Sequence, residues 1–192
     1  HDNHSPVHTR NIQFTRCTAR RYKGFAWTVA ANDQQVTTSQ VKLVDCHSDA
    51  VSVFYRGARD VVISGGRFTA PLLIGMASGN EAGRKNIDAP AQNVTIENAT
   101  IKVLKINLSP AAEYYTESHT QTADYQPTVT LDKTRVIEQL DVVGDRKHLT
   151  VTDCSLPAFT KTRAGMRSAE GIRFLAADVS LHAELKNVRL VM

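Results

Sequence analysis

The stretch Asn93-Val94-Thr95-Ile96-Glu97-Asn98-Ala99-Thr100-Ile101 carries the pattern that decides the fold. Apolar Val94 and Ile96 alternate with polar residues, Asn98 and Ala99 follow as a polar and a small residue, and Ile101 is again apolar. Alternation with a period of two is typical of a short β-strand with one buried face. A polar residue followed by a small one predicts a sharp turn. We therefore expect a strand that ends in a turn, with a second apolar segment after it.

The same pattern occurs six times along the chain. The copies start at residues 12, 41, 61, 94, 129 and 149, so successive starts lie 29, 20, 33, 35 and 20 residues apart. Weaker copies start near Ile172 and at Val188. One such strand cannot bury its apolar face alone, whereas stacked copies bury a continuous core. The six clear copies are Ile12-Gln-Phe-Thr-Arg-Cys17, Val41-Lys-Leu-Val-Asp-Cys46, Val61-Val-Ile-Ser-Gly-Gly66, Val94-Thr-Ile-Glu-Asn-Ala99, Val129-Thr-Leu-Asp-Lys-Thr134 and Leu149-Thr-Val-Thr-Asp-Cys154.

The repeat predicts an all-β fold of parallel strands stacked about 4.8 Å apart, with inserted loops that make the spacing irregular. Val, Thr and Ile, which favour strands, supply 47 of the 192 residues. We expect an N-terminal extension over residues 1–10 and one stacked domain over residues 11–192. The alternative is an antiparallel β-sandwich. It does not explain why a small residue follows the turn in all six copies.

This alternation, with small or Asn residues at the bend, resembles the right-handed parallel β-helix of the pectin-lyase-like superfamily. The resemblance covers most of residues 11–192, and the irregular copies and abundant Thr are most similar to bacteriophage tailspikes and depolymerases. It implies a polysaccharide ligand and an extracellular or virion-surface location. The polygalacturonase motifs Asn-Thr-Asp, Asp-Asp and Gly-His-Gly are absent, as is the calcium-binding Asp cluster of pectate lyases. Six copies are few for this family, so we expect a piece of a longer β-helix or one protomer of a homotrimer.

Two carboxylates share one outward column of the expected stack. Glu97 and Asp132 hold the same place in consecutive copies, so their carboxyl groups are expected about 5 Å apart. That spacing is typical of retaining glycosidases. Two carboxylates at this distance raise the pKa of one of them, which would provide an acid and a base. The simpler interpretation is a pair of ordinary surface acids.

Three basic residues after the second copy are candidates for substrate binding, namely His47, Arg56 and Arg59. The arginines could hold a carboxylate or sulfate of a sugar, and in a lyase one of them would neutralise a uronate carboxylate. Surface ion pairs are the alternative.

Three tyrosines, Tyr114, Tyr115 and Tyr125, fall in the expected long loop between the fourth and fifth copies. Aromatic rings suit stacking on sugar faces, and they equally suit contacts with a neighbouring subunit.

Composition and motifs narrow the range of partners and cofactors that we expect. The net charge of +4 mildly favours acidic ones, but the one dense basic run, Arg20-Arg21-Tyr22-Lys23, comes without a nucleic-acid-binding motif, so we expect no nucleic acid. No run of about 18 apolar residues exists, so no membrane insertion by a helix is expected. There is no CxxC, no GxxxxGK[ST] and no Gly-x-Ser-x-Gly, and the sequence predicts no cofactor and no metal site.

Cys17, Cys46 and Cys154 occupy the small position after the turn, where we expect core residues. A catalytic thiol or a disulfide between adjacent copies are the alternatives.

The sequence thus predicts a protein that binds a surface polysaccharide and, if an enzyme, cleaves it as a hydrolase or a lyase. The competing hypothesis is a non-enzymatic structural or adhesion module. Val44, Val62 and the run Leu72-Leu73-Ile74 would give such a module an exposed apolar stripe.

Overall fold

The described part of the chain is built of β-strands, and no α-helix occurs in it. The structure is a computed structural model, and it describes residues 9–20, 25–29, 38–54, 58–75, 91–108, 128–144, 148–157, 171–175, 184–186 and 189–191. The strands are β1 Thr9–Thr15, β2 Thr18–Ala19, β3 Thr28–Val29, β4 Thr38–Val44, β5 His47–Ser48, β6 Ser52–Phe54, β7 Ala58–Ser64, β8 Arg67–Phe68, β9 Leu72–Ile74, β10 Gln92–Glu97, β11 Thr100–Leu108, β12 Val129–Asp132, β13 Arg135–Gly144, β14 Leu149–Thr152, β15 Ser155–Pro157, β16 Gly171–Leu175, β17 Glu184–Lys186 and β18 Arg189–Val191.

These strands form two sheets. All described pairings are parallel, so this part of the chain is not an antiparallel sandwich. The seven-stranded sheet has the order β1-β4-β7-β10-β12-β14-β17. The 11-stranded sheet follows the path β2-β5-β8-β11-β13-β15-β18, and β3, β6, β9 and β16 pair beside this path. Among the described residues, no helix is long and apolar enough to cross a membrane.

Each of the six copies supplies one strand of the seven-stranded sheet, and the copies pair in register. We call each copy, together with the strands that follow it, a unit, and we number the units one to six. Ile96 pairs with Ile63 on one side and with Leu131 on the other. All three side chains are fully buried in one hydrophobic core. The predicted alternation of inward apolar and outward polar residues is therefore confirmed in these strands.

A residue with left-handed backbone follows the strand of every unit, and in the first five units its amide extends the ladder. The N–H of Asn98 donates to the carbonyl oxygen of Asp132 at 3.0 Å, and the N–H of Arg135 donates to the carbonyl oxygen of Ala99 at 2.9 Å. Inter-unit hydrogen bonds thus continue round the turn, so its backbone polar groups find partners. The left-handed residues are Arg16 (φ 53), Asp45 (φ 49), Gly65 (φ 74), Asn98 (φ 54), Lys133 (φ 45) and Asp153 (φ 51).

The position after the left-handed residue points into the core, as the small side chains there predict. Cys46, Ala99, Thr134 and Cys154 are buried, and Cys17 is half-buried in the first unit. The hydroxyl of Thr134 lies 3.0 Å from the carbonyl oxygens of both Ile96 and Asp132, which satisfies the one polar group in this column. All three cysteines are free thiols.

The run Leu72–Ile74 does not form the exposed apolar stripe expected for an adhesion module. It is strand β9, which pairs with β6 and β11 inside the 11-stranded sheet, and all three side chains are buried. Val44 and Val62 are only half-buried. A short apolar run without alternation does not reveal which of its residues face outward, so the sequence alone was misleading here.

Candidate functional site

Two carboxylates lie side by side at the end of neighbouring strands. Glu97 is the last residue of β10, Asp132 is the last residue of β12, and the two are register partners. Parallel neighbours in a sheet lie about 4.8 Å apart. Both side chains are half-buried, on the face of the sheet opposite to the core. The structure thus brings these two residues together as the repeat predicts, while their catalytic role stays a prediction.

Hydroxyl groups surround the carboxylate pair. In the same column, Ser64 precedes Glu97 and Thr152 follows Asp132. The next outward column of the sheet contains Thr95, Thr130 and Thr150 in consecutive strands. Serine and threonine hydroxyls both donate and accept hydrogen bonds, as sugar hydroxyls do. The outer surface of this sheet therefore suits a ligand that is rich in hydroxyl groups.

Arg59 lies on the same sheet as the carboxylate pair but near the other end of its strand. It precedes Ser64, the register partner of Glu97, by five residues, which corresponds to about 16 Å along the strand. Between them, Asp60 and its neighbour Asn93 have positive φ and leave a gap in the pairing, while the register on both sides of the gap is the same. The side-chain amide of Asn93 donates to a carboxylate oxygen of Asp60 at 2.6 Å. Arg59 is thus too far along the strand to contact the same sugar ring as Glu97.

His47 lies on the 11-stranded sheet, in a column of residues that directly follow the small residue of each turn. Its register partners are Thr18 and Arg67, and Thr100 pairs with both Arg67 and Arg135. His47, Arg67 and Arg135 are exposed. We call these three residues the basic column. Sequence reasoning selected His47 but missed both arginines, although each one directly follows the small residue of its copy.

The basic column and the carboxylate pair meet at the turn of unit five. Asp132 and Arg135 are separated by left-handed Lys133 and buried Thr134. In unit four, Glu97 and Thr100 are separated in the same way. In unit five, a carboxylate therefore lies on one side of the turn and a guanidinium group on the other. A chain-like ligand that crosses the turn would meet both.

The other predicted binding residues are not part of this arrangement. Arg56, Tyr114, Tyr115 and Tyr125 lie outside the described residues. His47 and Arg59, which the sequence groups in one cluster, lie on different sheets. The described residues contain no group of three His, Cys, Asp or Glu side chains that could hold a metal ion.

The two buried thiols are harder to ionise than a thiol in water. Burial raises the pKa of Cys46 and of Cys154 above the usual value of a thiol. Because the thiolate is the reactive form, a raised pKa makes a cysteine a poor nucleophile at neutral pH. This disfavours a catalytic thiol at these two positions.

Comparisons with known proteins do not identify the chain. No family model, no curated protein and no solved structure matches it. The described residues define an all-β protein with two parallel sheets, and its function has to be argued from the site.

Proposed function

We propose that the chain is a right-handed parallel β-helix of the pectin-lyase-like kind, similar to bacteriophage tailspikes and depolymerases. The strand orders support this, since each step along the path of either sheet adds one parallel strand in the order of the sequence. The β3, β6 and β9 series gives the first three units a third strand at equivalent places. Stacked units of this kind form an extended surface along which a polymer can bind.

In this proposal the protein binds and cleaves an extracellular or bacterial surface polysaccharide. The observation that carries the proposal is the register pairing of Glu97 with Asp132 on a surface rich in hydroxyl groups. In a retaining hydrolase, one carboxylic acid protonates the glycosidic oxygen while the other carboxylate attacks the anomeric carbon. Water then hydrolyses the glycosyl-enzyme, with the first residue acting as the base. Strand spacing fits the carboxylate separation of about 5 Å that this mechanism needs.

The basic column favours an anionic polysaccharide. Exposed Arg67 and Arg135 can bind a carboxylate or a sulfate through two parallel hydrogen bonds each. In a lyase version of the proposal, Arg56 or Arg59 neutralises a uronate carboxylate while a basic residue removes the adjacent proton. Stacking of sugar faces on Tyr114, Tyr115 and Tyr125 belongs to the same proposal.

The test compares the wild-type protein with the double variant Glu97→Gln, Asp132→Asn on a panel of bacterial capsular polysaccharides. Released reducing ends report hydrolysis, and ultraviolet absorbance of unsaturated uronates reports a lyase. We expect the double variant to lose at least about 100-fold in rate, because general acid-base catalysis typically contributes that much. Glu138→Gln is the control, since this exposed carboxylate lies on the other sheet and pairs with Lys102 at 3.3 Å. Full activity of the double variant would exclude the pair from catalysis.

A non-enzymatic structural or adhesion module of a homotrimer is the second candidate. Exposed large apolar side chains support it, because such side chains on a soluble surface suit contacts with a partner. Phe14 is 39 % exposed, Phe25 is 41 % exposed and Ile137 is 40 % exposed. Sedimentation equilibrium distinguishes the two candidates. A trimer that binds but does not cleave polysaccharide supports the module, and a strict monomer that releases reducing ends excludes it.

A further inference from the structure

Two cysteines occupy equivalent places in adjacent units. Cys17 and Cys46 lie between two register pairs, Thr15 with Val44 and Thr18 with His47. The N–H of His47 donates to the carbonyl oxygen of Cys17 at 2.8 Å, which fixes the two turns against each other. The two cysteines are therefore direct neighbours along the stack.

The two thiols also point the same way. Cys17 Sγ donates to the carbonyl oxygen of Thr15 at 3.4 Å, and Cys46 Sγ lies 3.5 Å from the equivalent carbonyl oxygen of Val44. Cys46 Sγ reaches into the first unit as well, 3.5 Å from the carbonyl oxygen of Phe14. The side chain of Cys17 also lies close enough to Cys46 to contribute to the raised pKa of the Cys46 thiol. To bond, each sulfur has to turn towards the other about its Cα–Cβ bond, which breaks these hydrogen bonds.

The spacing of the units allows a covalent bond once the two side chains have turned and the two units have moved slightly closer. Parallel neighbours lie about 4.8 Å apart, which is inside the Cα separation of about 4.4–6.8 Å found in disulfides. The Cβ atoms must approach to about 3.8 Å, so the units have to close by about 1 Å. Among the described strands, β1 borders β4 only, so this approach does not disturb a second described neighbour of β1.

We propose that Cys17 and Cys46 form a disulfide that fastens the first unit to the second under oxidising conditions. The oxidant is a low-molecular-weight disulfide such as glutathione disulfide. The thiolate of half-buried Cys17 attacks one of its sulfurs, forms a mixed disulfide and releases one glutathione thiolate. The thiolate of buried Cys46 then attacks Cys17 Sγ and releases the second glutathione thiolate. The two protein thiols are oxidised by two electrons, and their two protons pass to the two glutathiones.

The chain carries its own control in Cys154. This cysteine occupies the same place in unit six, but its neighbour in unit five is Thr134, whose N–H lies 3.4 Å from Cys154 Sγ. The chain has three cysteines in all, so no other cysteine is left for Cys154. Oxidation should therefore select one pair among three thiols.

The test treats the full chain with glutathione disulfide, blocks the remaining thiols after denaturation, and maps the peptides by mass spectrometry. We expect one disulfide-linked peptide that joins Cys17 to Cys46, with Cys154 blocked as a free thiol. Because burial raises the pKa of Cys46, the second step should become faster as the pH rises towards the usual thiol pKa. A disulfide involving Cys154, or glutathione that stays on Cys17, would overturn the proposal.

The stability of the wild-type protein, measured before and after reduction, provides a second test, and this comparison needs no variant. The urea midpoint of the oxidised wild-type protein should lie above that of the same sample after reduction, because the bond closes a loop in the unfolded chain. Cys154→Ser should keep this difference and Cys17→Ser should abolish it. Equal midpoints for the oxidised and reduced wild-type protein would show that the bond does not fasten the first unit.

Discussion

Asn98 shows how a single residue sets the direction of the chain. Its φ of 54° is left-handed, a conformation that costs most L-residues about 1–2 kcal/mol but that Asn, Asp and Gly adopt more readily. Asp45 and Asp153 adopt the same left-handed conformation in their units. Lys133 adopts it too, although a lysine pays the full conformational cost. Unit three has a stricter requirement, because a Cβ on left-handed Gly66 would collide with the backbone of Cys46. Gly66 is thus required by close backbone approach as well as by small size.

Replacing Asn98 tests the turn. Asn98→Val should lower the free energy of unfolding by about 1–2 kcal/mol, because a β-branched residue is strongly disfavoured at positive φ. Asn98→Gly should stay close to the wild type, since glycine adopts this conformation without a steric cost. Urea unfolding followed by circular dichroism measures both variants. Equal losses for Val and Gly would mean that the left-handed backbone is not what this position selects.

At the scale of the element, two isoleucines on different strands differ in how far their side chains are buried. Ile96 lies in the middle of β10 and is fully buried against the two neighbouring strands. Ile137 is 40 % exposed on β13, where the pairing with β11 shifts by one residue between Ile101 and Val103. An irregularity of this kind leaves one residue unpaired and redirects the side chains beside it.

Truncation of these two isoleucines should separate the core from the surface. Ile96→Ala should destabilise the protein by about 2–5 kcal/mol, because it removes buried methyl groups and leaves a cavity. Ile137→Ala should change stability by no more than about 0.5 kcal/mol. Chemical denaturation of both variants at one pH makes the comparison. If Ile137→Ala costs as much as Ile96→Ala, then Ile137 is covered in solution by a partner or by another part of the chain.

At the scale of the whole molecule, each described unit rests on its immediate neighbours. Within the described strands of the seven-stranded sheet, those of the middle units have partners on both sides, whereas β1 has a partner on one side. Inward-facing Phe14 of β1 is 39 % exposed, while its register neighbour Leu43 is fully buried. In a stack of this kind, stability is approximately a sum of unit terms and nearest-neighbour terms. As far as the described strands go, β1 therefore has fewer stabilising contacts than the strands of the middle units.

Hydrogen exchange should show this gradient directly. Amides of β1 should exchange faster than amides of β7, because local opening of an edge unit breaks contacts on one side only. Peptide-resolved deuterium uptake on the reduced protein gives the comparison. Oxidation of Cys17 and Cys46 should slow the exchange of β1 and leave β7 unchanged. Uniform protection of both strands would instead indicate one cooperative unit that opens as a whole.

The sequence predicts part of this structure because the same signal occurs six times. Alternation and the turn signal locate the strands of the seven-stranded sheet, and alignment of the copies gives the pairing of Glu97 with Asp132. The short strands β3, β6 and β9 have no period of their own, so their pairing could not be predicted. The position of His47 relative to Arg59 also depends on where the chain passes from one sheet to the other. No pattern in residues 47–60 predicts that point.

Because the units pair in register, the order of the units along the chain determines which side chains become neighbours on this surface. Glu97 faces Asp132 because unit five follows unit four, and Asp132 in turn faces Thr152. A recombination event that removed unit five would place Glu97 beside Thr152, with Val94 and Ile96 still stacked on apolar residues. The scaffold would survive and the carboxylate pair would be lost. Duplication, loss or rearrangement of whole units can therefore create or remove a site in this protein while the fold stays the same.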